Sequence, residues 1–105
     1  MFKLAAKETF WQDVFLTVPG ESEPVKVQVE YKHQTKTQLA EMFKGADVAA
    51  TTDEALLGGV INDWKGFDGP YNTKNLAKLL DQYPASAMEL FAAFKKGAGE
   101  SRAKN

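Results

Sequence analysis

The chain has 105 residues, with 13 basic and 14 acidic side chains, one histidine and a formal net charge of −1. Its 44% hydrophobic and 26% charged residues are those of one globular domain rather than a disordered segment. Cysteine is absent, which excludes disulfide scaffolds, thiolate metal sites and cysteine nucleophiles, and the near-neutral charge offers no field to draw nucleic acid or an anionic membrane.

No apolar run approaches the roughly 20 residues that span a bilayer, and no signal-peptide core follows Met1. An intracellular protein is the expectation. The first third of the chain alternates. Val25, Val27, Val29 and Tyr31 share one parity, while Lys26, Gln28, Glu30 and Lys32 share the other. Phe10, Val14, Leu16 and Val18 also share a parity. This period of two predicts half-buried strands over about residues 8–18 and 25–34. Pro19-Gly-Glu-Ser-Glu-Pro24 between them is dense in turn residues and predicts a hairpin loop.

After about residue 35 the period becomes helical. Thr35 and Gln38 have capping-box spacing, followed by a stripe of Leu39, Met42, Phe43 and Ala46 with Gly45 as a stop. Thr51 and Glu54 repeat that spacing before a stripe of Leu57, Val60, Ile61 and Trp64. Gly58-Gly59 within it costs roughly 1 kcal/mol per glycine against alanine and marks close packing, a bend or a frayed joint. Asn72 or Thr73 caps a third helix carrying Leu76, Leu79, Leu80 and Tyr83, which Pro84 ends. Ser86 and Glu89 have capping-box spacing at a fourth helix, which bears Leu90, Phe91 and Phe94 and stops near Gly97. Residues 98–105 have no apolar anchor and read as a flexible tail. The expected architecture is α+β: an N-terminal antiparallel hairpin and about four short helices in one domain over residues 1–97.

Catalytic chemistry finds no support. His33 lies near a strand end with no converging partner, and one histidine without cysteine makes a zinc site improbable. Asp53-Glu54 complements a helix dipole. Asp63, Asp68 and Asp81 lack calcium-loop spacing, and Gly66-Phe-Asp-Gly69 lacks phosphate-loop spacing. No enzyme activity, cofactor or metal is expected. Trp11 and Phe15 fall on the strand face opposite Phe10, Val14 and Leu16. Core burial and a partner surface both fit them at this point. Trp64, Phe67 and Tyr71 either plug the end of a helix pair, with Gly66, Gly69 and Pro70 shaping the turn, or serve as contact residues.

The order of these pieces resembles one family. Phe10-Trp11, the valine-alternating strand, the Val60-Ile-x-Asp-Trp-Lys-Gly run, Gly69-Pro-Tyr, Asn75-Leu-x-x-Leu-Leu, the Tyr83–Pro84 break and the final aromatic helix follow the pattern of the tail assembly chaperones of long-tailed bacteriophages. The resemblance implies a non-enzymatic factor that coats the tape measure protein, helps recruit major tail tube subunits and is absent from the mature virion. It implies self-association into higher oligomers in the host cytoplasm, with no nucleic acid or membrane partner. It also implies a minor product of programmed ribosomal frameshifting, for which Phe94 to Gly97, with Lys95 and Lys96, is a candidate slip region. The two-faced hairpin is expected to meet neighbours and the helical surface the client. The alternative from the same particle is a structural head–tail connector or tail-completion protein retained in the virion. The alternative from another class is a small enzyme or nucleic-acid regulator, which would need a convergent polar site or a basic face.

Overall fold

The computed structural model describes residues 1–42 and 52–99. Two antiparallel strands open the fold: β1, Thr9–Leu16, and β2, Val25–Lys32. Their register runs from Thr9 opposite Lys32 to Leu16 opposite Val25. The intervening turn places Gly20 at φ +88°, and the Glu21 amide donates to the Val18 carbonyl at 3.0 Å. A left-handed backbone at that point favours glycine.

Helix α1, Lys36–Met42, starts where the capping box was expected. The Thr35 amide donates to Gln38 Oε1 at 2.8 Å, and the Gln38 amide donates to Thr35 Oγ1 at 3.1 Å. Leu39 and Met42 pack half-buried against the core. The rest of the expected stripe, Phe43, Gly45 and Ala46, lies outside the described residues, as does Thr51. Helix α2, Asp53–Val60, is capped by Thr52, whose side chain accepts from the Ala55 amide at 3.1 Å. The cap is therefore one residue later than the Thr51–Glu54 spacing suggested.

The helical stripe expected through Trp64 is incorrect. Helix α2 ends at Val60, and Ile61 is already extended, at φ −90° and ψ 132°. Ile61–Lys65 forms β3, antiparallel to β2, so the sheet order is β1-β2-β3. A bulge causes the misreading. Trp64 opposes Val29 and Ile61 opposes Tyr31, with one extra residue on β3 between them. The inward pair is therefore three residues apart instead of two, which imitates a helical period. Gly58 and Gly59 are not sites of tight packing. A Cβ at Gly58 would lie 3.9 Å from Leu76 Cδ2, an ordinary contact, and one at Gly59 would meet nothing within 4 Å.

Helix α3, Thr73–Gln82, is capped by Asn72, which accepts from the Asn75 amide at 2.8 Å. It stops at Tyr83 before Pro84, whose ring disfavours helical geometry in the preceding residue. Helix α4, Ser86–Gly97, follows at once. The capping box expected of Ser86 and Glu89 does not form. Ser86 is the first helical residue and is fully buried, donating to the Tyr83 carbonyl at 2.7 Å. Glu89 instead accepts from the backbone amide and hydroxyl of Thr17, which ties α4 to the end of β1.

The sheet's inner face carries Val14, Leu16, Val27, Val29, Tyr31, Ile61 and Trp64 into one core with Leu57, Leu76, Leu79, Leu90 and Phe94 from the helices. Helix α4 packs along β1, and α2 touches both α3 and α4. Phe10, Tyr31 and Phe94 form an aromatic trio with ring centroids 5.4–6.4 Å apart. The result is the expected α+β domain, with a third strand added to the hairpin. That strand supplies what an isolated hairpin lacks, since two strands alone are marginal in water.

Candidate functional site

Among the described residues the helices pack on one face of the sheet. On the other face, Trp11 is 38% exposed and Phe15 55% exposed, and neither belongs to the core. Of the two readings open for this pair, burial in the core is excluded. Trp11 stands opposite Glu30 and Phe15 opposite Lys26. The Lys65 ammonium lies 4.4 Å from the Trp11 ring centroid, a cation–π distance. Thr9 Oγ1 and Asn62 Nδ2 donate to the Glu30 carboxylate at 2.7 and 2.8 Å. The Thr9 bond, then the Asn62 bond, hold Glu30 below the ordinary range of a glutamate, and the Lys65 charge acts in the same direction. The face is thus a lattice of both signs with two large aromatics standing on it.

The aromatic loop divides differently. Trp64 is only 7% exposed, and its indole N–H donates to the Gly69 carbonyl at 2.9 Å. Phe67 stacks on it at 3.9 Å, and Tyr71 meets it edge-on at 5.1 Å. Asn75 Nδ2 fastens the Pro70 carbonyl at 2.7 Å. Gly66 turns the chain at φ +93°, a conformation that side chains resist. The loop is wrapped around the Trp64 indole, so Trp64 is a core residue. Tyr71 is half-buried, and burial raises its phenol above the usual value.

Phe67 also lines a cleft of about 470 Å³ at the loop end of the hairpin. Leu16, Val18, Val25 and Val27 form one wall, Trp64 and Phe67 a second, and Leu79 and Tyr83 a third. Asp68, Lys78 and Gln82 contribute polar edges. Sequence reasoning did not find this cleft, because it needs β3 and α3 brought against the hairpin. Parity did contain part of the signal: Val25 has the inward parity of β2, yet it is 48% exposed, at the cleft rim.

The last turn of α4 presents Lys95 and Lys96 to solvent. Gly97 has a packing role. A Cβ there would collide with Phe10 Cε2 and stand 2.8 Å from Gln12 Oε1. Ala98 packs on the core and donates to the Phe94 carbonyl at 2.8 Å, so the anchored chain continues one residue past the expected boundary. Residues 100–105 of the expected tail lie outside the described residues. His33 is half-buried, and its backbone amide donates to the Glu8 carbonyl at 2.8 Å. Among the described residues no group of three or more His, Asp or Glu side chains could hold a metal, and no helix is long and apolar enough to cross a membrane.

Two surfaces stand out among the described residues: an exposed aromatic face ringed by charges, and an apolar cleft. A family model described as phage tail assembly chaperone matches residues 1–105, the whole chain. No curated protein and no solved structure matches it.

Proposed function

We propose a detailed role from one premise: the chain belongs to the phage tail assembly chaperone family. Within that role the protein coats the tape measure protein before the tube closes around it, promotes addition of major tail tube subunits, and leaves before the virion matures. It acts without catalysis, in the host cytoplasm, as an oligomer.

The observation that carries this reading is the exposed pair Trp11 and Phe15 on the sheet face opposite the core. Aromatic rings supply large contact area at low entropic cost. The charges around them, Lys26, Glu30 and Lys65, match the polar flanks of an amphipathic helix of either sign. Each contact is small, and many copies along one extended client add through effective concentration. We assign this face to the client, the reverse of the division expected from the two-faced hairpin, which gave it to neighbouring copies. We leave Lys95-Lys96-Gly97 as the place where a longer frameshifted product would diverge.

Affinity capture of the tagged chain from phage-producing cells, set beside mass spectrometry of purified virions, tests the role. The tape measure protein is expected in the captured fraction, and the chain is expected to be missing from virions. Recovery of the chain at stoichiometric amounts in virions would instead make it a connector or tail-completion subunit.

A further inference from the structure

Residues 1–7, Met-Phe-Lys-Leu-Ala-Ala-Lys, precede β1 as an irregular arm. Phe2 and Leu4 are 90% and 99% exposed, and Met1 is exposed as well. Three large apolar side chains in solvent on so short a segment call for a cover. The same molecule carries an apolar cleft of about 470 Å³ between the hairpin end, the Trp64 loop and α3. We infer that the N-terminal arm of one copy seats Phe2 and Leu4 in the cleft of a second copy, giving head-to-tail association.

Reach and charge both point to a second copy. The arm enters the sheet where Thr9 opposes Lys32, whereas the cleft lies at the other end, where Leu16 opposes Val25. The far end lies about 23 Å from Thr9 at the rise of a strand, and the near edge at Val27, opposite Val14, about 17 Å. Leu4 stands five residues before Thr9 and reaches at most about 18 Å when fully extended, and Phe2 at most about 25 Å, so the two cannot both fill the far end of their own cleft. Turning the chain back along its own sheet shortens that further. The arm carries Lys3 and Lys7 and no acid. The cleft lining itself balances Asp68 against Lys78, and the acidic excess comes from Glu21 and Glu23 in the hairpin turn between the lining residues Val18 and Val25. A basic apolar arm thus faces an apolar cleft with an acidic surround.

The contact joins two different patches, so it is heterologous. Unless its rotation closes a ring, it propagates as an open helical array. This does not depend on the client, and it holds or fails with the isolated protein.

The test uses the full chain in sedimentation velocity across a concentration series. The wild type is expected to associate, and Phe2→Ser/Leu4→Ser is expected to stay at the mass of one chain, 11.6 kDa. Val25→Glu at the cleft rim is expected to do the same. Mixing the two variants is expected to restore a dimer and nothing larger, since one retains a cleft and the other an arm. Because the chain has no cysteine, Leu4→Cys/Gln82→Cys gives a second readout that does not rely on weakening the fold. Oxidation is expected to yield a covalent ladder, while Leu4→Cys/Lys96→Cys is not. Unchanged association of the arm variant, an undiminished array in the mixture, or an intramolecular disulfide in the cysteine pair would each overturn the inference.

Discussion

The Tyr31 hydroxyl donates to the main-chain carbonyl of Leu90 at 2.7 Å, in a site where both residues are fully buried. This single bond fastens the middle strand to α4, and the rings of Phe10 and Phe94 close over it. Burial holds the phenol far above its ordinary value, so it remains a donor throughout the neutral range. Tyr31→Phe keeps the ring and removes the donor. The expected loss is about 1–2 kcal/mol, the cost of a buried hydrogen bond, read as a lower urea midpoint with an unchanged slope.

Two glycines in helices are expected to respond with opposite signs to the same change. Gly97→Ala drives a methyl into Phe10 and should destabilise by about 1–3 kcal/mol. Gly59→Ala places a methyl where nothing lies within 4 Å and should stabilise by about 0.5–1 kcal/mol. Thermal melts of the two variants check the pair. A stabilising Gly97→Ala would mean that α4 does not lie against β1 as described.

The acid limb of stability should depend on Glu30. Its folded-state carboxyl is depressed by the Thr9 and Asn62 bonds. A depressed carboxylate contributes stability above its unfolded value, about 4.3, and that stability is lost as pH falls through the folded value. Carboxyl-detected NMR is expected to show Glu30 titrating below the ordinary glutamate value of about 4.3. In Glu30→Gln the stability difference from wild type should shrink as pH drops below about 4.

The aromatic face and the arm should separate two activities. Trp11→Ser/Phe15→Ser removes solvent-side rings and is expected to leave the fold and self-association in place, within about 1 kcal/mol, while weakening client capture. Phe2→Ser/Leu4→Ser is expected to abolish self-association and retain the isolated fold. Circular dichroism and sedimentation on the same samples distinguish the two.

Much of this architecture was legible in residue order. Alternation placed β1 and β2 to within two residues, and Thr35–Gln38 forms the capping box its spacing implies. Local chemistry sufficed there because the partners are three residues apart or on adjacent strands. The failures share one cause. Ile61 and Trp64 are spaced three apart by a bulge that exists only against β2, so β3 carries a helical period without being a helix. Ser86 and Glu89 have the spacing of a cap, but tertiary structure spends Glu89 on Thr17, far away in the chain. Trp11 and Phe15 were seen to share a face, but which side the helices would cover is decided by the packing of α4 on β1. The cleft was invisible for the same reason: its three walls come from elements far apart in sequence.

The central claim is that this chain holds a tape measure protein in soluble form through its sheet face. Co-expression of that protein with the wild type, with Trp11→Ser/Phe15→Ser, or with no partner tests it most directly, by the soluble fraction after centrifugation. The account expects the client to be soluble only with the wild type and to fall toward the partner-free level with the double variant. A client equally soluble under all three conditions, or equally insoluble under all three, would contradict it.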